Sequence, residues 1–141
     1  MHQKKCLEIE PEGYYGFTYK IMGSKKLPKE LQGKIYIGKK AFTHSTKKRV
    51  SKRIIKITKT RQRVIRGTKN SGWLNYWGSS KLLLEDIKTY GKENFSREVL
   101  GFAKNKSELA LNEVEAQIKY DVLRTNSWNS WISCKIFRQR L

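Results

Sequence analysis

The stretch YYGFTYKIMGSKKLPKELQGKIYIG, residues 14–38, holds two short runs of strand-forming residues around a polar loop. Residues 14–21 alternate and are rich in aromatic and β-branched types, which suit a pleated, half-buried surface. Gly23, Pro28 and Gly33 punctuate the loop that follows. Residues 34–38, KIYIG, form a second apolar β run. Two strands joined by one loop make a hairpin the simplest arrangement.

Beyond this hairpin the composition changes. Residues 39–69 contain thirteen Lys or Arg, and residues 39–72 contain no acid. Within this basic insertion, RIIKITKTRQRVIR mixes β-branched and basic residues without a clean period, which assigns it neither helix nor strand and suits an arm that orders on its ligand. Order returns at Trp73. KLLLEDIKTYG, residues 81–91, has helical apolar spacing, with Ser80 placed to cap its start and Gly91 its end. NFSREVLGFA, residues 94–103, has the composition of a strand. Ser107 then precedes ELALNEVEAQIKYDVL, whose Leu111, Val114, Ile118 and Val122 predict an amphipathic helix with those four on its buried face. WNSWISCKIF, residues 128–137, suggests a turn and a short strand. The expected order is β, β, basic insertion, α, β, α, β: a single α+β domain around a small sheet.

With 141 residues the chain suits one domain able to bury a core without staples. Its net charge of +19 and pI near 10.1 predict a polyanionic partner, most often nucleic acid. Such a composition suits a ribosomal-type binding protein as well as an enzyme. No stretch approaches eighteen apolar residues, and the N-terminus, MHQKKCLEIEPEG, lacks an apolar signal core, so neither a membrane span nor a signal peptide is expected. Cys6 and Cys134 sit at opposite ends without paired spacing, which argues against a zinc site and fits a reducing cytosol. They are expected in a tail and in a buried strand.

Phosphodiester hydrolysis needs a base to activate water, a cation for the developing phosphate charge, and commonly a metal held by carboxylate. The chain has twelve acids against thirty-one bases, so an acid facing a basic surface stands out. Glu113 borders the apolar face of the later helix, where its ordinary role would be a solvated acid that moderates charge. Tyr19 and Tyr36 stand in the two hairpin strands, where tyrosine ordinarily packs. Lys39 and Lys40 follow the second strand, where lysine is ordinarily solvated.

Together these residues resemble a known family. TYKI around Tyr19 and KIYIGKK around Tyr36 look like the two halves of the GIY-YIG nuclease motif. Phe17-Thr18-Tyr19 replaces Gly-Ile-Tyr in the first half, and Tyr36-Ile37-Gly38 matches the second in full. WLNYWGSSKLLLEDIKTYGKENFSREVL and ELALNEVEAQIKYDVL resemble the elements that follow the motif in phage-encoded members, with Glu113 and Gln117 in a Glu-x-x-x-Gln pattern. The nearest type is the small free-standing homing endonuclease of the Seg group.

The resemblance, spanning about residues 14–136, implies a three-stranded antiparallel sheet flanked by helices. It implies that Glu113 holds one Mg²⁺ or Mn²⁺ per site, that Tyr36 acts as or beside the general base, that Tyr19 supports the nucleophile, and that Asn129 closes the site. The family places an arginine on a helix soon after the second tyrosine. Here that region is THSTKKRVSKR, so Lys39, Arg49, Arg53 and His44 are the candidates to serve beside the tyrosines, although a lone histidine is ordinarily inert. The implied partner is double-stranded DNA in the cytoplasm of a phage-infected host cell. Affinity would come from Lys40, Lys47, Lys48, Arg53, Lys56, Lys59, Arg61, Arg63, Arg66 and Lys69 through phosphate contacts. A double-strand cut would need two protomers on the DNA or two encounters. The competing readings are a non-catalytic nucleic-acid binder and a nuclease acting on RNA.

Overall fold

The computed structural model describes residues 9–132. In chain order the elements are β1 Gly16–Gly23, β2 Ile35–Ala41, β3 Thr43–Arg49, α1 Lys52–Thr58, β4 Val64–Asn70, α2 Lys81–Tyr90, β5 Phe95–Ala103 and α3 Lys106–Lys119. β1 lies at the centre of a three-stranded sheet of order β2–β1–β5, antiparallel throughout. The expected hairpin and the α+β class are both present. β2 continues three residues past Gly38, so Lys39 and Lys40 belong to the main sheet.

The alternation of β1 explains how the sheet is covered. Phe17, Tyr19 and Ile21 join a buried cluster with Phe42, Trp73, Leu83, Phe95 and Trp128. Burying each such side chain is worth roughly 1.5–3 kcal/mol. α3 packs against all three strands. Its Leu109 lies so close to Gly16 that a Cβ there would stand 2.8 Å from the leucine methyl. On the cluster side, Ser80 caps α2 by accepting from the Leu83 N–H at 3.4 Å, and Leu83 is fully buried.

α3 differs from its expected form in two respects. It starts at Lys106, capped by Asn105, and it ends at Lys119 because Asp121 adopts a left-handed φ of 50°. Its buried positions are Leu109, Val114 and Gln117, while Ile118 is 66% exposed, so the helix is rotated from the expected Leu111–Val114–Ile118 face.

The basic insertion also differs from expectation. It holds regular elements where the sequence assigned neither helix nor strand: β3 and β4 pair antiparallel as a separate two-stranded ribbon, with α1 between them. Its root is pinned to the core. Phe42 is buried against Phe17 and Trp73, its N–H donates to Tyr15 at 3.0 Å, and Ser71 N–H donates to Phe42 at 3.0 Å.

Residues 126–129 run along the outer edge of β2. Ile35 N–H donates to Asn126 at 3.3 Å and Trp128 N–H to Ile35 at 2.8 Å, which covers part of an edge that would otherwise be open. The strand expected near the C-terminus falls largely outside the described residues, as do Cys6 and Cys134. Among the described residues no helix is long and apolar enough to cross a membrane.

Candidate active site

A cleft of about 750 Å³ opens where the edge of β2 passes between the loop before α2 and the face of α3. β2 supplies Tyr36 and Lys39, the loop supplies Tyr76 and Ser79, α3 supplies Glu113 and Gln117, and the chain after α3 supplies Asn129 and Trp131. Tyr36 projects to the loop side, where its hydroxyl lies 3.4 Å from that of Ser79. Two glycines make room for its ring: a Cβ on Gly38 or on Gly78 would come within 2.9 Å of it.

Tyr19 stands directly behind Tyr36, with ring centroids 6.2 Å apart, and is 1% exposed. Burial pushes its hydroxyl well above the ordinary tyrosine range, and the neighbouring Tyr36, Tyr76 and Glu113 push it further. Tyr19 therefore remains a protonated donor. Tyr76 meets Tyr19 edge-on and is also raised, chiefly by burial, with its hydrogen bond to Ser79 opposing the shift. Lys40 sits 4.0 Å above the Tyr76 ring.

Glu113 lines the same cleft as Tyr36. Its carboxylate lies 3.6 Å from the Lys39 ammonium, and its side chain is 18% exposed. Burial raises its carboxyl above the ordinary value, against the opposing pull of Lys39, which acts through its charge and through side-chain and backbone hydrogen bonds. Glu115, two residues on, is exposed. One turn beyond Glu113, Gln117 is buried and its Oε1 has no hydrogen-bond partner.

Asn129 acts on the strand itself. Its Oδ1 accepts from the Ile37 N–H and its Nδ2 donates to the Ile37 carbonyl, both at 2.9 Å. The side chain thus imitates a further strand beside β2 and holds the backbone between Tyr36 and Gly38.

The structure brings Tyr36, Lys39, Glu113 and Asn129 to one cleft with Tyr19 behind it. It leaves His44 and Arg49 on exposed β3 and Arg53 on exposed α1, all outside the cleft lining. Lys39 and Lys81 are the cations that line it. Arg97 is engaged elsewhere, donating to the carbonyls of Trp73, Leu74 and Tyr76 and so fixing the loop that presents Ser79.

A family model described as the GIY-YIG domain of the putative endonuclease segE matches residues 1–133. The chain belongs to this family. No curated relative and no solved structure matches it.

Membership in a GIY-YIG endonuclease family gives the tyrosine pair a context that strand propensity alone could not. The cleft also sets Tyr76, Ser79, Lys81 and Gln117 beside them, residues to which the sequence assigned no role. The signal for the first two lay in the Trp-x-x-Tyr-x-Gly-Ser-Ser run of residues 73–80, whose loop reaches the cleft only through tertiary folding. A polar residue on a helix face otherwise lined by Leu109 and Val114 was the signal for Gln117.

Proposed function

We propose that this protein is a divalent-metal-dependent endonuclease that hydrolyses phosphodiester bonds in double-stranded DNA. The observation that carries the reading is the convergence of the Tyr36 hydroxyl and the Glu113 carboxylate on one cleft lined by Lys39 and Lys81.

The donor set fits a hard cation. Glu113 is a mostly buried carboxylate in an open cleft, and the described residues contain no cluster of three His, Cys, Asp or Glu. A single carboxylate suits Mg²⁺ or Mn²⁺ carrying several waters and does not suit a closed zinc site. When bound there, the ion supplies charge stabilisation at the leaving oxygen. Tyr36 acts as phenolate: it orients the attacking water, takes one of its protons and becomes the phenol, while the Ser79 hydroxyl donates to the phenolate oxygen. Tyr19, held protonated, donates to the Tyr76 hydroxyl behind the cleft. Lys39 and Lys81 offset the charge that builds on the phosphate oxygens. Asn129 keeps the Tyr36–Gly38 backbone in place.

One cleft cuts one strand, so a double-strand break takes two protomers on the DNA or two encounters. The basic arm supplies most of the affinity through phosphate contacts. Incubation with supercoiled plasmid and Mg²⁺ or Mn²⁺, with and without chelator, tests the reading. Nicked circles are expected before linear DNA, and only with metal. Intact plasmid under every condition, with DNA binding retained, would make the protein a non-catalytic binder.

A further inference from the structure

Nothing among the described residues covers the β3–β4 ribbon. All seven residues of β3 are exposed, and so is every residue of β4 after Val64. An isolated two-stranded ribbon is marginally stable in water. This one also carries Lys47, Lys48, Arg49, Arg66 and Lys69 with no acid between them. A polyanion that takes the ribbon in relieves both problems.

The register divides the ribbon into two faces, because directly opposed residues point the same way. Ser45 opposes Thr68 and Lys47 opposes Arg66 on one face, while Thr46 opposes Gly67 and Lys48 opposes Ile65 on the other. The first face sets two short hydroxyls beside two long cations. Those are the groups that read base edges: arginine and lysine bond guanine O6 and N7, and hydroxyls serve any base. The second face also holds His44, Thr46, Lys48 and Lys69, but Gly67 and the exposed Ile65 interrupt it. The first adds Thr43, Asn70 and Arg49 to its readers and so presents the denser set of hydroxyls, amide and cations.

We propose that the β3–β4 ribbon lies in the major groove of B-form DNA with Ser45, Lys47, Arg66 and Thr68 toward the base edges. The proposal rests on the nuclease reading for its placement beside a cut. A major groove about 12 Å wide admits a two-stranded ribbon, whereas the deep, narrow groove of A-form RNA does not. The ribbon also sits at a fixed distance from the cleft. Only Phe42, buried in the core, separates β3 from the strand that carries Tyr36 and Lys39. Strands of this length extend about 20 Å, or about six base pairs of duplex. Recognition therefore lies within about six base pairs, to one side of the cut.

The test uses the full chain and a duplex that contains its mapped cut site or, without cleavage, the tightest-binding duplex from a random library. Each guanine and adenine is replaced in turn by its 7-deaza analogue, which deletes N7 from the major groove and leaves the phosphates and minor groove unchanged. At least one position on one side should lose binding by about fivefold or more. Arg66→Ala or Lys47→Ala, with circular dichroism to confirm folding, should remove that sensitivity. An RNA duplex of the same sequence should bind about tenfold or more weakly. Indifference to every N7 deletion, or equal affinity for the RNA duplex, would overturn the proposal. N7-sensitive binding without plasmid cleavage would uphold it and sink the nuclease reading instead.

Discussion

The two hydroxyls of Tyr19 and Tyr36 are set apart by where they end. Tyr19 is sealed in the core and held protonated by burial, while Tyr36 reaches the cleft and Ser79. Tyr36→Phe should keep the fold and DNA affinity but slow plasmid nicking roughly a hundredfold or more; nicking at the normal rate would return Tyr36 to a packing role. Glu113 carries a different signature. Its raised carboxyl means the folded chain holds a proton more tightly than the unfolded one, so its contribution favours folding at low pH and is lost as pH rises through its folded value. Glu113→Gln should leave the chelator-treated protein at least as heat-stable as the parent at neutral pH and should abolish cleavage. It should also erase the metal-dependent gain in melting temperature, worth about 1.4 kcal/mol for the parent at tenfold over Kd. Glu115→Ala should cut normally, since Glu115 is exposed. An intact metal-dependent gain in Glu113→Gln would move the metal elsewhere. Asn129→Ala strips both partners from Ile37 and should cost about 1–3 kcal/mol in denaturant melts, with slower cleavage.

At the scale of elements, the arm is where charge and structure part company. Arg61 and Arg63 lie in the turn between α1 and β4, and Arg66 lies on the ribbon. Neutralising Arg61 and Arg63 should weaken binding to any DNA sequence and flatten the log–log salt slope by about 1.8; an unchanged slope would mean that these residues do not reach phosphate. The arm was also the least legible part of the fold. Its strands bury neither face, so no alternation marks them, and β-branched residues such as Ile65 stand among cations in open solvent. α2 was legible because caps and apolar spacing agreed, down to Ser80 and Gly91, and β5 because its strand-forming composition matched its place in the sheet. α3 was legible in kind and misjudged in rotation and length. Apolar Val122 and Leu123 continue past a stop made by the backbone at Asp121, and Gln117 occupies the buried position expected for Ile118. In the site, Tyr36, Lys39, Glu113 and Asn129 could be named because a sequence pattern singled them out. Tyr76, Ser79 and Lys81 could not, because an irregular loop held by Arg97 brings them in.

For the whole molecule, a net charge of +19 acts on folding and on binding in opposite directions. Compaction draws the cations of the arm and the sheet together, so self-repulsion opposes the folded state. Monovalent salt screens that repulsion, over about 10 Å at 0.1 M, and should raise the melting temperature of the free protein. The same salt removes the gain from counterion release on DNA. A protein with six to ten phosphate contacts loses about 10³–10⁵ in affinity between 50 and 200 mM. Cleavage should therefore be fastest at low salt, where the free fold is weakest, and bound DNA should supply the stabilisation that salt otherwise gives. Parallel melts with and without duplex DNA across a salt series check this. The free protein's midpoint should climb with salt while the increment due to DNA shrinks. If the free midpoint instead falls as salt rises, local ion pairs such as Lys39–Glu113 and Lys20–Glu98 govern stability more than the net charge does.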